Sequence, residues 1–134
     1  MINNKNQFKN ALKNGTIKGI KRIYNFDPNN KIPEESTATI EHIQSNAIKL
    51  KWDCLDNPTW SYFDFLEIKN NNILYFNYVP EHRLEEAKEI IKNKGLDIEL
   101  IPLEEKEKEK VNKGSNQNYT HKYIIIKNEI IEAY

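Results

Sequence analysis

The sequence predicts an α+β fold: a small, strongly curved antiparallel β-barrel or meander of SH3-like proportions with a short N-terminal helix, then a second helix and further strands. Three observations predict it. Most of the aromatic weight lies between Ser36 and Tyr78. Within that stretch, apolar and polar residues alternate at the period of strands, in short runs separated by turn formers. After Pro80 the period changes to that of a helix, with Leu84, Ala87, Ile90 and Ile91 on one stripe.

At 134 residues the chain has room for one domain, or for one domain with an appendage. We expect a curved β domain over residues 1–78, followed by a helix and strands over 79–134 with a charged flexible segment at 104–118. Twenty basic residues balance twenty acidic ones. That balance argues against a dedicated duplex nucleic-acid binder, whose affinity rests on a cationic field. One cysteine, Cys54, excludes an intrachain disulfide and fits a reducing compartment. No run approaches the length of a membrane span, and the polar start Met1-Ile2-Asn3-Asn4-Lys5 lacks the apolar core of a secretion signal, so the expected location is cytoplasmic, with no membrane partner.

Taken in order, Asn6 to Asn14 read as a two-turn helix, with Phe8, Ala11 and Leu12 on one face, Asn6 as N-cap and Gly15 as the left-handed stop. Thr16 to Phe26 reads as a strand in which Gly19 marks a bulge or a close backbone approach. The proline-bearing run Asp27 to Pro33 is a surface loop. Ser36 to Ile43 and Ala47 to Asp53 form a hairpin, with Ile48, Leu50 and Trp52 on one face and Lys49, Lys51 and Asp53 on the other. Thr59 to Ile68 carries large side chains at both parities, as expected of a strand between two layers or one that offers a face to a partner. Asn70-Asn71-Asn72 turns the chain into Ile73 to Tyr78.

Pro80 opens the second helix and Gly95 stops it. Leu96 to Ile101 alternates like a strand, and Glu104 to Lys113 alternates acid and base, the composition of a solvated helix or a disordered tether. Gly114 to Asn118 is a flexible link. Tyr119 to Tyr134 supplies a final strand or hairpin, with Lys127-Asn128-Glu129 as its turn. Its isoleucines are an aggregation hazard unless they pair within the sheet or across a homo-oligomer interface.

Chemistry-bearing residues are sparse. His42, His82, His121 and Cys54 fall in no zinc-binding spacing, and four glycines form neither a nucleophile elbow nor a phosphate cradle. We therefore expect no enzyme, no cofactor and no metal. The aromatic set Trp52, Trp60, Tyr62, Phe63, Tyr75 and Tyr78 is mostly core, and its remainder is a candidate contact surface. The binding residues nominated are Trp60, Tyr62 and Phe63 for stacking or apolar contact, with Lys18, Lys21, Arg22, Lys49 and Lys51 as cations for phosphate groups.

The succession Phe8, Ala11-Leu12-Lys13-Asn14-Gly15-Thr16, then Ile40 to Ile48, then Thr59-Trp60-Ser61-Tyr62-Phe63 resembles small uncharacterised proteins of phages and mobile elements. In those a helix ending in Gly-Thr leads into a barrel with a later Ser/Thr-Trp strand. The resemblance covers residues 1–78 and implies a context of phage or mobile-element cargo. Such accessory proteins often inhibit a host defence system, by binding a protein or by sequestering a signalling nucleotide. Two expectations follow: a non-catalytic accessory protein that occupies a host or phage protein, and, as the alternative, a nucleotide or single-stranded nucleic-acid binder.

Overall fold

The computed structural model describes residues 1–133. Two compact units divide them, one of Met1–Tyr75 with the chain from Ile125 onward, the other of Phe76–Ile124.

In the first unit, helix α1 spans Lys5–Lys13. Its cap is Asn4, two residues before the expected Asn6: Asn4 has an extended backbone and its side-chain oxygen accepts from Gln7 N at 2.8 Å. Gly15, at φ +71°, ends it as foreseen. Phe8 and Leu12 are buried one turn apart and dock the helix in the core.

Strand β1 is Ile17–Asn25, and it bulges on both sides of its middle. Gly19 sits at the first irregularity, where a Cβ would lie 2.7 Å from the carbonyl oxygen of Ala38, so the close backbone approach is real. The hairpin of β2 (Thr37–Ile43) and β3 (Ala47–Trp52) closes through Gln44 N to Ala47 O at 2.8 Å. Ile48, Leu50 and Trp52 are buried, and Lys49 and Lys51 occupy the opposite face.

The single strand expected from Thr59 to Ile68 is corrected. It is β4 (Thr59–Tyr62), a one-turn 3-10 helix at Phe63–Phe65, and β5 (Glu67–Lys69). Large residues occur at both parities because the chain bends there, not because a strand lies between two layers. Phe63 turns inward and meets Phe8 edge to face, ring centroids 6.0 Å apart, whereas Phe65 is thrown out to 76% exposure. Asn70 and Asn71, both at positive φ, make the two-residue turn into β6 (Asn72–Pro80). Asn71 also ties down the N-terminus, its side-chain oxygen accepting from Ile2 N at 2.6 Å.

The second unit begins within β6. A 3-10 turn at Glu81–Arg83 precedes α2 (Leu84–Asn93), so the helix starts four residues after Pro80. No α2 residue is buried. The expected strand Leu96 to Ile101 reduces to β7 (Ile101–Pro102). The acid-base run is ordered as helix α3 (Glu105–Asn112), where the tether alternative would have left it loose. It is anchored by Glu107, whose carboxylate lies 2.9 Å from the ammonium of the buried Lys122, itself 4.4 Å from the centre of the Phe76 ring. The side chain of Asn112 brackets Tyr119, accepting from its N–H at 2.7 Å and donating to its carbonyl at 3.0 Å. No helix among the described residues is long and apolar enough to cross a membrane.

Strand β8 (Tyr119–Glu132) is uninterrupted, so the expected hairpin turn at Lys127-Asn128-Glu129 is corrected: these residues pair with Tyr24, Arg22 and Lys21. Tyr134 lies outside the described residues. The antiparallel sheet has eight strands among the described residues, in the order β4-β3-β2-β1-β8-β6-β5, with β7 beside β8. It is open, ending at β4 and β5. Curvature is nonetheless strong, because Ser61 Oγ of β4 and Tyr75 Oη of β6 lie 3.1 Å apart although four strands separate them in the order. β8 lies between β1 and β6 in the order, so it pairs inside the sheet.

Candidate functional site

Two places in the first unit concentrate side chains that packing alone does not require. The first is the outer face of β2, β3 and β4. In the register, His42 faces Lys49, Lys49 faces Trp60, and Ala47 faces Tyr62, so the aromatic pair projects from one side of an edge strand. Trp60 is 39% exposed and Tyr62 47%. The Lys49 ammonium lies 5.8 Å from the Trp60 ring centre, and the His42 ring meets Trp60 edge-on at 6.2 Å. Phe65, in the 3-10 turn after β4, is exposed as well.

Of the nominated residues, the fold brings Trp60, Tyr62 and Lys49 together. It does not assemble the rest. Phe63 is core, 2% exposed. Lys21 points outward into an ion pair with Glu35 at 2.8 Å, which raises its pKa through the hydrogen bond and the carboxylate charge. The Lys51 ammonium is turned back onto the carbonyl oxygens of Trp52, at 2.9 Å, and of Leu55. Lys18 is exposed on β1, remote in the sheet order from β4. Arg22 lies inside.

The second place is that interior. Arg22 shares the inward face of β1 with Ile20 and is 3% exposed. Its Nε donates to Asn128 Oδ1 at 2.7 Å, its Nη1 to Asn30 Oδ1 at 3.1 Å and, at 3.5 Å, to the carbonyl of Ile32. The guanidinium carbon is 4.8 Å from the Trp52 ring centre. Every one of these partners is neutral. Burial therefore lowers the Arg22 pKa, with Tyr75 and Cys54 as the groups that oppose the shift. An arginine cannot escape by losing its proton, and burying its charge without a counter-ion costs several kcal/mol.

Asn128 is fully buried, and its Nδ2 has no hydrogen-bond partner. That nitrogen is turned toward the Tyr75 hydroxyl, whose ionised form it would favour, without reaching hydrogen-bond geometry. Tyr75 is half-buried as a residue, but its hydroxyl end lies inside, and burial raises its pKa against the pull of Ser61, Arg22 and Asn128. Asn128, Ser61 and Asn30 were not nominated from the sequence, and Tyr75 was considered only as a member of the aromatic set. A signal existed: Ile126, Asn128 and Ile130 share one parity, so a polar side chain interrupts an inward apolar row.

The remaining reactive groups are dispersed. Cys54 is exposed, His42 lies against Trp60, His82 is in the 3-10 turn before α2, and His121 sits on β8 beside the Thr120 hydroxyl. Among the described residues no three His, Cys, Asp or Glu side chains come close enough to hold a metal ion. Comparison with protein-family models, curated proteins and solved structures gives no match.

Proposed function

We propose that this chain is a non-catalytic binding protein that occupies another protein through the outer face of β4 and its neighbours. One observation carries the reading: Trp60 and Tyr62 on the edge strand β4 and Phe65 in the turn that follows it, three large aromatic side chains within six residues, all stand exposed. Singly scattered exposed apolar residues are ordinary, but exposed aromatics close together in the chain are typical of a contact surface. The unpaired backbone edge of β4 adds hydrogen-bonding groups that an extended partner segment can use. The phage or mobile-element setting, the host-defence target and the SH3-like character of the curled sheet belong to the same proposal, motivated by the resemblance of residues 1–78.

A nucleotide or single-stranded nucleic-acid ligand is the second reading, supported by Lys49 lying over Trp60. It is the weaker of the two, because Lys21, Lys51 and Arg22 are each engaged elsewhere and leave little cationic field around the aromatic pair.

The test is capture from a bacterial lysate on the immobilised full chain and on a variant carrying Trp60→Ala, Tyr62→Ala and Phe65→Ser. A stoichiometric protein retained by the first and lost by the second is the expected outcome. Equal retention by both would sink this surface. Saturable tryptophan quenching by mononucleotides or oligonucleotides that weakens with salt would favour the second reading.

A further inference from the structure

We propose that the interior of the first unit is a binding site for a small oxyanion group, a carboxylate or a phosphate, held by Arg22 and Asn128. The inference is independent of the outer aromatic face and starts from a missing charge. Arg22 is a permanent cation buried to 3% exposure, and its hydrogen-bond partners are two carboxamide oxygens' worth of neutral acceptor, Asn128 and Asn30, plus a long contact to a backbone carbonyl. No aspartate or glutamate among the described residues pairs with it. Buried arginines are ordinarily matched by a carboxylate, which compensates desolvation and accepts two parallel N–H bonds. Here the chain supplies the cation and the second nitrogen, Nη2, has no protein acceptor among the described residues.

A second orphan lies next to it. Asn128 uses its oxygen on Arg22 Nε, which fixes the orientation of the amide and leaves Nδ2 as a fully buried donor without a partner. Buried donors left unmade are uncommon and call for an acceptor. Arg22 and Asn128 are directly opposed on β1 and β8, so the two orphan donors come from facing positions of rigid strands. The Trp52 ring centre lies 4.8 Å from the guanidinium carbon, and the hydroxyls of Tyr75, toward which Asn128 Nδ2 is turned, and Ser61 are 3.1 Å apart and can each donate or accept. A buried water could satisfy Asn128 Nδ2 but would leave the arginine charge unmatched. An oxyanion answers both at once.

The experiment uses the full chain with Trp60→Phe, which leaves Trp52 as the sole tryptophan and hence a reporter in contact with Arg22. It is titrated with sodium phosphate and with sodium acetate, the ionic strength held by sodium chloride. We expect a saturable change in Trp52 emission with at least one of the two, and none with chloride alone; which anion acts separates the phosphate source from the carboxylate source. Asn128→Asp is the decisive variant, since it places a carboxylate of the chain's own against Arg22 Nε. It should keep cooperative unfolding and weaken anion binding by roughly tenfold or more. Side-chain NMR signals of Arg22 and Asn128 in the wild-type chain guard against a variant that fails to fold. They should shift on titration while those of the exposed Arg83 stay put. A flat or linear titration, an equal response to chloride, signals of Arg22 and Asn128 that do not move, or undiminished binding in a folded Asn128→Asp chain would each overturn the site.

Discussion

Arg22 and Asn128 face each other across β1 and β8, and the guanidinium Nε donates to the Asn128 carboxamide oxygen at 2.7 Å. Replacing Asn128 by Leu removes that acceptor and leaves a buried charged donor unmet. Such a loss costs about 2–4 kcal/mol. A urea midpoint unchanged from wild type would show that the pair does not support the fold.

Gly19→Ala should destabilise the first unit by about 1–3 kcal/mol, because an added Cβ meets the backbone oxygen of Ala38 at 2.7 Å and backbone cannot step aside as a side-chain tip can. Thermal unfolding checks it. Gly15→Ala meets no atom within 4 Å, so any loss there comes from its φ of +71° alone.

Glu35→Gly should stabilise the protein. Glu35 sits at φ +71° while its N–H donates to Arg22 O at 2.8 Å, a left-handed conformation that costs a side-chain-bearing residue about 1 kcal/mol. Its ion pair with Lys21 is largely exposed and offers little to lose. A lowered denaturation midpoint would show that the ion pair outweighs the backbone.

The hairpin of β2 and β3 was legible because Ile48, Leu50 and Trp52 alternate cleanly with lysines, and Gly19 because only a close approach favours glycine inside a strand. Thr59 to Ile68 misled for the opposite reason: apolar residues at both parities describe a buried strand and a bend equally well. Leu96 to Leu100 alternates without becoming a strand, since pairing partners are a property of the tertiary fold. In the candidate site, Trp60, Tyr62 and Lys49 could be found from neighbouring runs, but the inward turn of Arg22 depends on which face of β1 the core takes. The polar run Lys127-Asn128-Glu129 reads as a turn, which hides the shared parity of Ile126, Asn128 and Ile130 until the register with β1 shows the strand continuing through it.

Phe63 and Trp60, three residues apart, should respond oppositely to truncation. Phe63→Ala empties a core position packed on Phe8 and should cost about 3–5 kcal/mol. Trp60→Ala, on a half-open surface, should cost far less and act on partner binding. Chemical denaturation of the two variants side by side decides it.

Stability should fall at alkaline pH on account of Tyr75. Burial raises its pKa above the ordinary value near 10, so the unfolded chain releases the phenolic proton before the folded chain does. The contribution is complete below about pH 10 and is lost as pH rises through the folded value. Tyr75→Phe should flatten that alkaline decline in urea midpoint; an unaltered slope would place its origin elsewhere.

The last strand sets how this polypeptide can be dissected. A fragment stopping near residue 78 discards the stretch from Ile125 that lies between β1 and β6, and with it Ile126, Asn128 and Ile130 from the interior. Residues 76–124 are entered through β6 and left through β8, so the first unit is built from two stretches of chain that no single cut preserves together.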